Sequence, residues 1–76
     1  MQTCMRHLRK RSLTIAGHRT SIALEPEFWG ALEEIARERG IAISRLVAQA
    51  DEIREGLSLS SQLRLLALAH YRQRSA

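Results

Sequence analysis

The chain has 76 residues, 45% of them hydrophobic, with one Phe, one Trp and one Tyr, which limits it to one small domain whose core is built from Leu, Ile, Val and Ala and argues against wholesale disorder. A single cysteine, Cys4, excludes an intrachain disulfide; no apolar run is long enough to cross a bilayer, and the start MQTCMRHLRKR lacks the hydrophobic middle of a secretory signal, so a soluble, cytoplasmic protein is expected. The net charge of +4 fits a polyanionic partner.

Charge is unevenly placed. Arg6, Arg9, Lys10, Arg11 and Arg19 all precede Leu24, and every acidic residue follows it. Residues 1–11 therefore read as a basic, flexible arm, and residues 12–76 as the folded domain. Within the arm, Cys4 and His7 have a Cys-x-x-His spacing, but two ligands fall short of the usual four at a structural zinc site, so no metal or other cofactor is expected.

In "SLTIAGHRTSIAL", Leu13 and Ile15 alternate with Ser12 and Thr14, and Thr20, Ile22 and Leu24 alternate with Arg19, Ser21 and Ala23. The second run predicts a strand at about 18–24. The first is either the opening arm of a hairpin folded at Gly17 or an extended lead into one strand; the turn lacks the favoured Asn-Gly or Asp-Gly pair. Pro26, flanked by Glu25 and Glu27, opens a helix at about 26–39 with Phe28, Leu32, Ile35 and Ala36 as its apolar stripe. Trp29 falls beside that stripe, and Gly40 is a stop signal. A second helix, about 43–55, is expected to bury Leu46, Val47, Ala50 and Ile53 and to end at Gly56. Ser58 stands where an N-cap belongs, before a third helix at about 59–74 carrying Leu59, Leu63, Leu66 and His70 at helical spacing.

No catalytic constellation is present: His7, His18 and His70 are far apart, and Ser60 and Ser61 suit a helix opening better than a nucleophile. No enzymatic activity is expected.

A lone strand before helices leaves its backbone unpaired. Two copies pairing antiparallel about a two-fold axis would satisfy one edge of each and make a two-stranded ribbon. On this pattern, and on "AGHRTSIALEPEFWGALEEIARERG" with "LSSQLRL" near the end, the chain resembles the ribbon-helix-helix family of dimeric DNA-binding repressors, and more closely a group of short bacterial proteins with an "HRTSI-LEPEFW" signature. The resemblance implies a mainly α fold with one N-terminal strand, an intertwined homodimer with an intermolecular antiparallel ribbon, and an added C-terminal helix. It also implies that the ribbon lies in the major groove of DNA as part of a transcriptional regulator.

On that resemblance Arg19 addresses a guanine edge, Ser21 bonds to several bases, and Ala23, where the family commonly has a polar or basic residue, touches only a thymine methyl. Arg6, Arg9, Lys10 and Arg11 would follow phosphates, and eight such contacts in a dimer give a salt slope of about −7. The start of the second helix, at Ser44 and Arg45, would hold a further phosphate, although Ala42 supplies no cap there. Ile22, Leu24, Phe28, Leu32, Ile35, Leu46, Val47 and Ala50 are expected in the dimer core. The alternative is an antitoxin-like interaction module whose Leu59, Leu63 and Leu66 stripe anchors a protein partner in a groove. A third reading lays the last helix on a membrane surface, but its three basic residues and Ser-Ser-Gln opening disfavour it.

Overall fold

A computed structural model of the chain describes residues 7–75. Two strands, β1 (Arg9–Ile15) and β2 (His18–Leu24), precede three helices, α1 (Pro26–Arg39), α2 (Ile43–Glu52) and α3 (Leu59–Ser75). The strands pair antiparallel with Arg9 opposite Leu24, Lys10 opposite Ala23, Arg11 opposite Ile22, Ser12 opposite Ser21, Leu13 opposite Thr20, Thr14 opposite Arg19 and Ile15 opposite His18. Of the two readings of residues 12–17, the chain adopts the hairpin folded at Gly17, so it holds two strands where the family resemblance implied one, and β2 finds its partner within the same chain. Arg9, Lys10 and Arg11 correspondingly belong to a strand and not to a flexible arm.

The two-residue turn that closes the hairpin explains why its sequence signal is weak. Ala16 and Gly17 both have positive φ, 52° and 82°, as a type I′ turn requires, and alanine is a poor fit for the first of these positions. The far end of β1 is held from α1. Trp29, 3% exposed, donates its indole N–H to the carbonyl oxygen of Arg9 at 2.7 Å, and the Arg11 guanidinium lies 4.8 Å from the centroid of the same indole.

Helix α1 begins at Pro26 and ends in left-handed Gly40, whose N–H reaches the Arg37 carbonyl at 3.1 Å while the Ile41 N–H reaches that of Ala36 at 3.0 Å. Helix α2 is shorter than expected. It stops at Glu52 because the chain turns at Ile53, whose N–H bonds the Ala50 carbonyl at 3.2 Å, and Ile53 is 63% exposed instead of buried. Arg54 shapes the connection by pairing with Asp51 at 2.7 Å and donating to the Leu57 carbonyl at 3.0 Å. Ser58 then caps α3, its Oγ accepting from the Ser61 N–H at 3.1 Å.

One apolar cluster joins Ile15 and Ile22 of the hairpin with Leu24, Trp29, Leu32, Ile35, Leu46, Val47, Ala50 and Leu63; Leu13, Phe28, Leu59 and Leu66 pack against it. The side chains expected at a dimer core are therefore buried, or in the case of Phe28 half-buried, within a single chain. Of the Leu59, Leu63 and Leu66 stripe, Leu63 is fully buried in this core and Leu59 and Leu66 are partly buried against it. No helix among the described residues is long and apolar enough to cross a membrane.

Candidate nucleic-acid interface

Opposed residues of an antiparallel pair project from the same face, so the register divides the hairpin into two faces. Arg9, Arg11, Leu13 and Ile15, with His18, Thr20, Ile22 and Leu24, form the inner one. The outer face carries Lys10 with Ala23, Ser12 with Ser21, and Thr14 with Arg19. All six are exposed except Ala23, which is half-buried. Arg19, Ser21 and Ala23 fall on one outward face, and β1 adds three residues that the alternation of β2 could not reveal.

The outer face holds no acid, and the side chains of Lys10 and Arg19 make no ion pair or hydrogen bond among the described residues. Glu25, which precedes α1, and the acids Glu33, Glu34 and Glu38 within it are engaged elsewhere. Glu33 pairs with Arg11 at 2.8 Å, Glu25 with Arg64 at 2.9 Å, and Glu34 and Glu38 with Arg74 at 3.2 and 3.0 Å. The positive field of the ribbon is left uncompensated on its outward side while the acidic helix is neutralised internally.

The expected phosphate ligands are not brought together. Arg11 turns to the inner face, where Trp29 and Glu33 occupy it. Arg9 is exposed on that same face, and Lys10 stands on the other. Arg6 and Cys4 lie outside the described residues. Arg9, Lys10 and Arg11 also wall a depression of about 480 Å³ against Pro26, Trp29, Gly30 and Glu33.

At the start of α2, Ala42 is the N-cap and makes no side-chain cap bond. Ser44 already lies inside the helix and does not cap it, so the first turn keeps its dipole without a side-chain acceptor. Arg45 beside it is exposed.

The far side of the fold is polar and apolar by turns. Tyr71 donates its hydroxyl to Glu34, which holds the Glu34 carboxyl below its ordinary value and the Tyr71 phenol above its own. His70 Nε2 is 3.6 Å from Glu38 Oε1, too long for a hydrogen bond, and the buried nitrogen has no other partner. Phe28, Ala31, Leu65, Ala67, Leu68 and Tyr71 line an apolar groove of about 360 Å³ between α1 and α3, edged by Glu27 and Arg64. No group of three or more His, Cys, Asp or Glu among the described residues is placed to hold a metal ion.

Residues 8–71 match a family model described as a ribbon-helix-helix domain. Among solved structures the chain is similar to an uncharacterized protein from Bordetella pertussis Tohama I, at 33% identity and a TM-score of 0.77. That match covers 90% of this chain and 58% of the other, so the chain spans less than two thirds of that protein's length. No curated protein matches the sequence.

Proposed function

Because the chain belongs to the ribbon-helix-helix domain family, we propose that it is a DNA-binding transcriptional regulator that lays the outer face of its hairpin in the major groove and works as a homodimer. The observation that carries this reading is the outer face itself: an acid-free, exposed strip with Lys10 and Arg19 uncommitted and the Ser12 and Ser21 hydroxyls between them. Two strands about 4.8 Å apart fit a groove about 12 Å wide.

Arg19 suits the O6 and N7 acceptors of guanine, Ser21 can donate or accept at several base edges, and Ala23 offers a methyl to thymine. Exposed Arg9 and Arg45 serve phosphates, the latter together with Ser44 and the free end of α2. Arg6 would add to these from the preceding segment. With Arg11 withdrawn into its contacts with Trp29 and Glu33 and Lys10 on the outer face, Arg6, Arg9 and Arg45 are left to serve phosphates, and six such contacts in a dimer give a salt slope of about −5.

Two-fold pairing does not need the inner ribbon edges, which β1 and β2 satisfy within one chain. Selection from a random duplex pool, followed by binding titrations of the enriched sequence at several salt concentrations, tests the reading. A consensus that Arg19→Ala relaxes at one position supports ribbon readout. An unchanged affinity and preference in that variant rejects it. Sedimentation equilibrium of the purified chain tests the dimer, which has twice the 8.6 kDa chain mass.

A further inference from the structure

We infer that the ribbon reads DNA with both strands of one chain, and that Lys10 of β1 supplies the base contact that Ala23 of β2 does not provide. The inference rests on the major-groove reading above and adds to it a specific residue and its target, a guanine.

Lys10 stands directly opposite Ala23 on the outer face. Opposed side chains in such a pair have Cβ atoms about 5 Å apart, so the lysine projects beside the alanine methyl and beyond it. A lysine side chain is long enough to reach the part of the face that the short Ala23 side chain leaves open, and Lys10 is exposed there. Among the described residues it has no ion-pair or hydrogen-bond partner to compete with DNA.

Its backbone is held on both sides. The carbonyl of Arg9 accepts the Trp29 indole N–H at 2.7 Å, and Arg11 stacks on the same indole and pairs with Glu33 at 2.8 Å. A basic residue in a loose tail finds whatever phosphate is nearest. One fixed between two anchors on a paired strand has a defined register toward the bases. Alternation completes the division of roles, since Arg9 and Arg11 turn inward and Lys10 outward.

The chemistry of the ligand follows. A lysine in the major groove donates to guanine O6 and N7. Lys10 aligns with Ala23, which is four residues along β2 from Arg19. At about 3.3 Å per residue that is about 13 Å, close to four base-pair steps of about 3.4 Å. The two cations thus address guanines about four base pairs apart, with the Ser12 and Ser21 pair over the positions between.

The test is selection from a random duplex pool with the full chain, Lys10→Ala, Lys10→Arg and Arg19→Ala, each enriched site then titrated against salt. The expected result is that Lys10→Ala loses a preference of roughly tenfold for guanine at one position, about four base pairs from the one that Arg19→Ala relaxes. Lys10→Arg retains that preference, and the salt slope changes little. Uniform weakening across all sequences by Lys10→Ala, with a slope shallower by about one per chain, would make Lys10 a phosphate ligand and overturn the inference. An unchanged site and affinity overturns it equally. If Arg19→Ala has its effect while Lys10→Ala has none, the groove reading stands and the role of Lys10 falls; if neither variant alters the preference, both fall.

Discussion

The indole N–H of Trp29 and the carbonyl oxygen of Arg9, 2.7 Å apart, fasten the outer end of β1 to α1. This is the one described side-chain hydrogen bond from a helix to the backbone of that strand. Trp29→Phe keeps most of the apolar contact but removes the donor, leaving a part-buried carbonyl without its partner. The expected cost is about 1–3 kcal/mol of global stability, read from chemical denaturation. Hydrogen exchange should show faster opening of the β1 amides than of the α2 amides, because the loss falls on the strand and not on the Leu46 and Val47 core.

The same bond shows why the hairpin is harder to read from sequence than the helices. β2, α1 and the start of α2 announce themselves locally, through alternation at Thr20, Ile22 and Leu24, the Pro26 opening, and the Gly40 stop with its positive φ of 69°. The first half of β1 has no comparable signal. Its inner positions are Arg9 and Arg11, and what keeps them inward is an indole 20 and 18 positions further along the chain. The face occupied by Arg19, Ser21 and Ala23 follows from alternation alone. Lys10, Ser12 and Thr14 join it only through cross-strand register, which local alternation does not specify; the polar beat of Ser12 and Thr14 against Leu13 and Ile15 is the available hint. The end of α2 is misplaced by sequence reasoning because Gly56 masks the earlier turn at Ile53.

The turn offers a second prediction. Ala16 holds φ at 52°, a region that costs an ordinary L-residue about 1–2 kcal/mol and that asparagine enters more readily. Ala16→Asn creates the Asn-Gly pair favoured in type I′ turns and is expected to raise stability by roughly 0.5–1 kcal/mol, seen as a higher denaturation midpoint. Gly17→Ala, at φ 82° with open space around the position, should lower it through backbone strain alone. Equal midpoints for the wild type and both variants would show that the turn does not constrain the hairpin.

The two sides of α3 should respond differently to truncation. Leu63 is completely buried, whereas Leu65 is half exposed on the apolar groove. Leu63→Ala leaves a cavity in the cluster that holds Leu24, Leu32 and Leu46 and is expected to cost about 3 kcal/mol. In an isolated chain Leu65→Ala should stay within about 0.5 kcal/mol. A large cost at Leu65 that rises with protein concentration would mean that a second copy covers the groove, because burial in a dimer adds stability by mass action. Denaturation of both variants at two protein concentrations about a hundredfold apart distinguishes these outcomes.

Tyr71 and Glu34 link α3 to α1 through a bond whose strength depends on pH at both ends of the scale. The Tyr71 hydroxyl holds the Glu34 carboxyl below its ordinary 4.5; burial opposes it, and Arg74 adds to the lowering. A carboxylate with a lowered pKa in the folded chain stabilises it above the unfolded value, and that contribution is lost as pH falls through the lowered folded one. Glu34 in turn raises the Tyr71 phenol above 10.0. Its contribution is present below the unfolded value and disappears as pH rises through the raised folded one. Tyr71→Phe should therefore melt below the wild type near neutral pH, with the gap closing in acid below about 4.5 and again in alkali above about 10. Some acid sensitivity persists in the variant, since Arg74 still pairs with Glu34 at 3.2 Å. Thermal melting of both proteins across this range decides the matter: parallel curves would mean that the hydroxyl faces water in solution, and converging ones that it holds the two helices together.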